Sequence, residues 1–332
     1  MLTHARPFVR RAGAVATCIA LTAGALAVTV PAGAGASPSV RATALCGTKS
    51  SVPVIKHVIV VIEENHSYGD VVRSGSAPYL NRVIASCGLA SNYHNLTHNS
   101  LPNYLALVGG GSLSALSQYD YDCAPSACRS LVGGPSVFSQ VAARGWASYL
   151  ESMPIACDRS SSGQYAVRHN PAAYFSTLAA SCPANDVALG STSNSPLLHA
   201  LGTPATAPAF ATVTPNLCND MHDCSVSVGD AWLSKWLPLI ASTAAYKAGN
   251  TAVFVVWDEG RSGYTGENCA ANPHDQSCHV PLVVIAPSVR PGTKVSTSYS
   301  VYSLLRTFEG LLGVPALNGA ATAISMTKSF HL

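Results

Sequence analysis

The chain has 332 residues, 19 Lys+Arg against 16 Asp+Glu, and only 11% charged positions; that length suffices for one large domain or two modest ones. Arg6, Arg10 and Arg11 precede an apolar stretch over 12–30, and Ala34-Gly35-Ala36 supplies small residues, so residues 1–36 read as a secretory signal peptide; a twin-arginine signal at Arg10-Arg11 or a membrane anchor fits the flanking residues less well. Without those three arginines the balance is neutral, which disfavours a reader of the nucleic-acid backbone, and no later segment is long and apolar enough to span a bilayer.

A stretch rich in Ala, Gly, Ser and Pro over 31–43 predicts a flexible lead-in, extended to residue 50, followed by one domain over 51–332. The apolar run 55–62 predicts a buried strand, and it stops abruptly at Glu63-Glu64-Asn65-His66. Open α/β sheets bind ligands just beyond the carboxyl ends of their strands, so hard oxygen ligands at such a tip point to a site rather than to a solvated turn. The pattern 101–108 predicts a helix closed by Gly109-Gly110-Gly111, with Ser100 directly in front of it in the run Thr97-His98-Asn99-Ser100-Leu101-Pro102-Asn103. A hydroxyl there is a helix cap on one reading; on the other it is a nucleophile beside a helix terminus that favours phosphate.

A short helix over 136–143 ends before Gly145, 146–150 alternates as a strand, and Asn170-Pro171 predicts a helix through 178. A short strand at 210–213 leads into Asn216-Leu217-Cys218-Asn219-Asp220-Met221-His222-Asp223-Cys224, where acids, amides and a histidine crowd together; a disulfide-stapled surface loop is the competing interpretation. Asp230 is expected to cap a helix over 231–247. The run 251–257 predicts a second buried strand ending in Asp258-Glu259-Gly260, and Cys278-His279 precedes a third over 280–286. Ser300 is expected to cap a helix over 301–312. Two strand tips carrying acids suggest one shared cation site, and the alternation of elements predicts an α/β fold with a mostly parallel central sheet flanked by helices.

The chain has 11 cysteines, of which Cys18 lies in the signal. An even remainder in a secreted protein predicts a disulfide framework. Sequence does not fix connectivity; proximity favours Cys123–Cys128, Cys218–Cys224 and Cys269–Cys278, leaving Cys157–Cys182 and Cys46–Cys87. With no CxxC pair, a zinc–thiolate site is disfavoured.

Glu64-Asn65-His66-Ser67-Tyr68, Ser100-Leu101-Pro102-Asn103-Tyr104-Leu105-Ala106-Leu107, Trp257-Asp258-Glu259-Gly260 and His279-Val280-Pro281 resemble, in order, the bacterial phosphoesterase family of secreted acid phosphatases and non-haemolytic phospholipases C. The resemblance implies an alkaline-phosphatase-like fold with a metal at the strand tips. It implies Glu64, Asn65, Asp258 and Glu259 as metal ligands, Ser100 as nucleophile with Thr97 as the fallback, and His222 and His279 as the catalytic histidines. Thr97, His98 and Asn103 would contact substrate, with Asn103 and helix N–H groups on the phosphoryl oxygens. The all-oxygen set suits Ca²⁺, Mg²⁺ or Mn²⁺, while histidine participation admits Zn²⁺ or Fe. The chain departs from the longer family members in lacking their C-terminal extensions, and a loop through Cys269 separates the second acidic tip from His279. The expected function is a secreted acid phosphatase acting on small phosphate monoesters through a phosphoserine, with no stable membrane insertion. The alternatives are a phospholipase C or other phosphodiesterase and, in a different class, an inactive secreted binding protein.

Overall fold

The computed structural model describes residues 44–332; the expected signal peptide over 1–36 and the first part of the expected lead-in lie outside them. In chain order the elements that position the site are β1 His57–Glu63, α1 Pro78–Ser86, β2 Gly88–His94, α2 Ser100–Gly109, β3 Trp146–Leu150, β4 Asp186–Ala188, β5 Phe210–Thr214, α3 Val226–Ser242, β6 Thr251–Trp257, β7 His279–Ile285, β8 Thr293–Val295, β9 Tyr299–Ser300 and α4 Val301–Leu312. The strands form one sheet in the order β4-β3-β5-β1-β6-β7-β2-β8, with β9 beside β2. Every residue of β1, β5 and β6 is buried, which is why these runs read as continuous Val, Ile and Phe instead of alternating with polar residues: both faces of the sheet are covered.

The sheet is mixed, which corrects the expectation of a mostly parallel one. β1 pairs in parallel with β5 and β6, but β7 runs antiparallel to β6 and to β2. A parallel step needs a crossover that returns the chain to the starting edge. Between β6 and β7 the chain makes only turns, so it re-enters the sheet from the edge it has just left. The consequence is useful for a site, because the start of β7 joins the ends of β1, β2, β5 and β6 along one edge. In register, Glu63 lies opposite Trp257, Val61 opposite Val213, and His94 opposite His279.

Two predicted helices differ in instructive ways. Over 170–178 the chain forms two short 3₁₀ turns, Pro171–Tyr174 and Ser176–Leu178. Its backbone is diverted: Tyr174 O accepts from Val132 N at 2.8 Å and Ser176 N donates to Val132 O at 3.1 Å. Asp230 lies inside α3 and caps a different helix, its carboxylate accepting from Tyr79 N at 3.0 Å and Leu80 N at 2.7 Å in the first turn of α1. The five disulfides are the three pairs favoured by proximity and the two that remained, Cys157–Cys182 and Cys46–Cys87.

Candidate active site

Each acidic motif emerges where its strand stops. Glu64 and Asn65 follow β1, Asp258 and Glu259 follow β6, and the loop after β5 brings Asp220. Asp258 N donates to Glu63 O at 3.0 Å and Glu64 N to Asp220 O at 2.8 Å, so the three tips are tied by backbone before any side chain is considered. Asn65 adopts φ 54°, a left-handed conformation that asparagine tolerates better than most residues; its N–H approaches Asp258 Oδ1 at 3.4 Å. Gly260 is required by its surroundings, since a Cβ there would lie 2.1 Å from Gln276 O and 2.9 Å from Ser67 Oγ.

Ser100 opens α2, a helix buried along its entire length. Its hydroxyl stands 3.1 Å from Glu64 Oε2 and 3.4 Å from Glu259 Oε1. The other oxygen of Glu64 accepts from the Tyr104 hydroxyl at 2.5 Å, one helical turn further on. Glu259 Oε2 is 2.9 Å from His98 Nδ1. Residues almost two hundred positions apart in sequence therefore converge on one hydroxyl.

This cluster is electrostatically unbalanced. Glu64, Asp220, Asp258 and Glu259 are all buried. Burial first, and mutual repulsion among the acids, push each carboxyl well above the ordinary range. Asn65 Oδ1 and Asp258 Oδ2 are buried with no hydrogen-bond partner, and Asp220 Oδ2 and Glu259 Oε2 each meet only a histidine nitrogen. Orphaned buried acceptors of this kind are expensive unless something positive satisfies them. The donors present thus fit a hard divalent cation.

The histidines divide unequally. His169, which the sequence reading passed over, is buried between two acids, with Nε2 3.2 Å from Glu64 Oε1 and Nδ1 3.3 Å from Asp220 Oδ2; burial drives its pKa well below the usual value. Ligand atoms of Glu64, His169 and His222 lie within 4.8 Å of one another. Arg168 Nη2 stands 2.9 Å from His222 Nε2, while His222 Nδ1 is 2.7 Å from Asp223 Oδ1. A guanidinium only donates, so His222 Nε2 must be the acceptor and its proton sits on Nδ1, toward Asp223. In this arrangement neither nitrogen offers a proton to a leaving group, contrary to the expected catalytic role. His279 lies on the same sheet edge, but its Nε2 is 3.1 Å from Ser91 O and its ring stacks on Tyr68 at 4.5 Å. The structure does not bring it to the acids.

Thr97, His98 and Asn103 shape the turn ahead of Ser100. Asn103 spends its whole amide there: Oδ1 accepts from Leu96 N at 2.9 Å and Thr97 N at 3.1 Å, and Nδ2 donates to Thr97 O at 2.8 Å and Asn99 O at 3.0 Å. That pins the turn and leaves nothing for a phosphoryl oxygen. Thr97 is fully buried, its hydroxyl directed at His98 O. The helix terminus is also less open than expected, because Leu101 N donates to Asp122 Oδ1 at 2.9 Å and Pro102 has no N–H. His98 remains partly accessible, at 17%. The overlooked residues carried a weak signal: Arg168-His169-Asn170 is a dense polar run in a sparsely charged chain, but nothing in its spacing ties it to the acidic tips.

The model described as "Phosphoesterase family" matches residues 71–315. The chain is 31% identical over 326 residues to a phosphatidylinositol-3-phosphatase of Mycobacterium tuberculosis, covering 97% of this chain and 95% of that protein. It is 28% identical over 272 residues to a probable acid phosphatase of Kluyveromyces lactis, covering 79% of this chain and 59% of the yeast protein. Among solved structures, a Vibrio parahaemolyticus protein in the alkaline phosphatase superfamily superposes with a TM-score of 0.57 at 11% identity, covering 84% of this chain and 73% of that one. The C-terminal periplasmic domain of EcEptC from Escherichia coli, in complex with Zn, does so with a TM-score of 0.51 at 12% identity, covering 80% and 84%. At such identities the structural likeness speaks for the fold alone.

Proposed function

Because the chain belongs to the phosphoesterase family and is a hydrolase of phosphoric esters, we propose that it is a secreted, metal-dependent phosphatase whose Ser100 takes up the phosphoryl group of a phosphate monoester. One observation carries this reading: the Ser100 hydroxyl lies within 3.1 Å and 3.4 Å of buried carboxylates from two different strand tips, beside acceptors that have no partner. Glu64, Asn65, Asp258 and Glu259 would hold a divalent cation, with Asp220 and His169 close by. Such an ion, when bound, lowers the pKa of a nearby hydroxyl and neutralises charge on phosphoryl oxygens.

The chain's own residues supply the rest. Glu64, fixed by Tyr104, and Glu259, fixed against His98, stand in reach of the Ser100 proton. Ser100 Oγ forms a bond to phosphorus as the bond to the ester oxygen breaks. His98 is partly accessible and has no protein partner on Nε2 among the described residues, which suits it to protonate the departing alkoxide. Water then cleaves the phosphoserine and restores the hydroxyl. The even, fully paired set of ten cysteines in the domain supports an oxidising destination.

The end-to-end likeness to a phosphatidylinositol-3-phosphatase favours a second reading of the substrate, a phosphate monoester on a lipid headgroup. The test is hydrolysis of an aryl phosphomonoester, phosphatidylinositol 3-phosphate and a choline phosphodiester. Each is measured before and after chelator dialysis, and again after adding back Ca²⁺, Mg²⁺, Mn²⁺, Zn²⁺ or Fe²⁺. The reading expects monoester turnover that chelation removes and one ion restores; turnover indifferent to chelation contradicts the metal, and preference for the diester contradicts the substrate class.

A further inference from the structure

The residues expected to hold the phosphoryl oxygens are otherwise engaged. The Asn103 amide is fully used by backbone, Leu101 N–H is taken by Asp122, and Pro102 has none. A phosphate monoester dianion must nevertheless approach a pocket that already holds four buried carboxyls, and a single divalent ion offsets only part of that charge.

The arginine whose charge acts on this cluster is Arg168. Its influence reaches Asp220 and Glu259, whose carboxyls it stabilises in the charged form, and it opposes a charge on His169. Its side chain is held from both ends. Nε lies 3.7 Å from Asp122 Oδ2, and Nη2 donates to His222 Nε2 at 2.9 Å. Two separate routes lead from it to the nucleophile. One runs through Asp122 Oδ1 to Leu101 N at 2.9 Å, the residue next to Ser100. The other runs through His222, whose ligand atom lies within 4.8 Å of Glu64, the carboxylate 3.1 Å from Ser100 Oγ. The Arg168 side chain is 24% exposed, and its remaining N–H groups have no partner among the described residues. The turn that bears it is rigid, because Asn170 is bonded to Asp186 at 2.8 Å and to the Tyr165 hydroxyl at 3.1 Å.

We propose that Arg168 is the phosphate clamp of this site, donating its unspent N–H groups to the non-bridging oxygens of the group transferred to Ser100. Asp122 and His222 are its positioning residues. A planar guanidinium fork matches two phosphoryl oxygens at once, which an ammonium does not. His222 acquires a purpose in this scheme: with its proton held toward Asp223, it accepts from the guanidinium and aims it without neutralising it.

The inference rests on the phosphatase reading, and the test separates the two. Inorganic phosphate binding is measured by calorimetry and by competitive inhibition of aryl phosphate turnover, for the full chain with its metal and for R168Q and R168K. R168Q is expected to weaken phosphate at least about tenfold and to lower kcat by about a hundredfold, the scale of losing one donor to a transition-state oxyanion. R168K is expected to recover part of the binding and little of the rate. A folded R168Q whose phosphate inhibition stays within twofold of the parent overturns the clamp. If R168Q does not melt cooperatively, D122N and H222Q serve instead: each keeps the cation but loosens its aim and is expected to weaken phosphate severalfold, and unchanged binding in both overturns the proposal. A parent protein that hydrolyses no phosphate ester with any metal contradicts the reading itself, whatever the arginine variants do.

Discussion

At the scale of single residues, the Ser100 hydroxyl faces two carboxylates. Ser100→Ala removes one oxygen from a buried site and leaves the helix and its Asn103-pinned turn intact. Turnover of an aryl phosphate is expected to fall at least about a thousandfold, with a melting temperature within a few degrees of the parent; near-normal turnover would move the nucleophile to Thr97, the fallback. Glu64, Asn65, Asp258, Glu259 and Ser100 were legible in sequence because each sits where an apolar run meets polar residues, and strand ends are where α/β sheets place ligands. The second layer was not. His169, Arg168 and Asp122 reach the site through side-chain directions and loop folding that one-dimensional spacing does not encode, whereas Asp220 stood in the acid-rich run after the 210–213 strand and only its approach to Glu64 was hidden. His279 shows the reverse failure: its position on the sheet edge was correct, but the stack on Tyr68 turns its ring away.

At the scale of elements, the loop after β5 depends on a close approach to α3. Met221, at φ 78°, is wedged against Gly229, where a Cβ would come within 2.4 Å of Met221 Cε and 2.9 Å of Asn219 O. Gly229→Ala ought to raise helix propensity by about 1 kcal/mol, yet overpacking of this kind costs about 1–3 kcal/mol. The expected outcome is a modest loss of stability with a larger loss of activity, because the displaced loop carries Asp220 and His222. Thermal melting and kcat/KM measured on the same sample check it; an active, stabilised variant would show that the loop position is not critical. Strand existence was readable from runs of β-branched residues, whereas strand direction was not. The reversal of β7 depends on a 258–278 connection that makes no crossover, and it was missed because the pattern of β7 is the same in either direction. Helix 170–178 failed for a related reason, its backbone groups being claimed by Val132, far away in sequence.

At the scale of the whole molecule, burial raises the pKa of acids in the interior, and stability should register that. Asp186 is fully buried, and burial pushes its carboxyl up to about 7. In the unfolded chain it would lose its proton near the ordinary value of about 4. Between those two values the folded state keeps a proton the unfolded state has released, so stability is complete below the lower value and declines as pH rises through the upper one, by about 4 kcal/mol at most. Asp186→Asn keeps an acceptor for Asn170 and removes the titration; its melting temperature should vary less between about pH 4 and pH 7 than that of the parent, and an unchanged slope would place the buried charge elsewhere. A stapled loop system and a mixed sheet bring acids from separate strand tips to one edge beside Ser100, and the proposed function has that hydroxyl accept a phosphoryl group and then give it up to water. The stereochemical course at phosphorus tests this most directly. With a chirally isotope-labelled phosphate monoester and an alcohol acceptor, two successive in-line displacements predict overall retention of configuration; inversion would mean that water or acceptor attacks the substrate directly, and that Ser100 never carries the phosphoryl group.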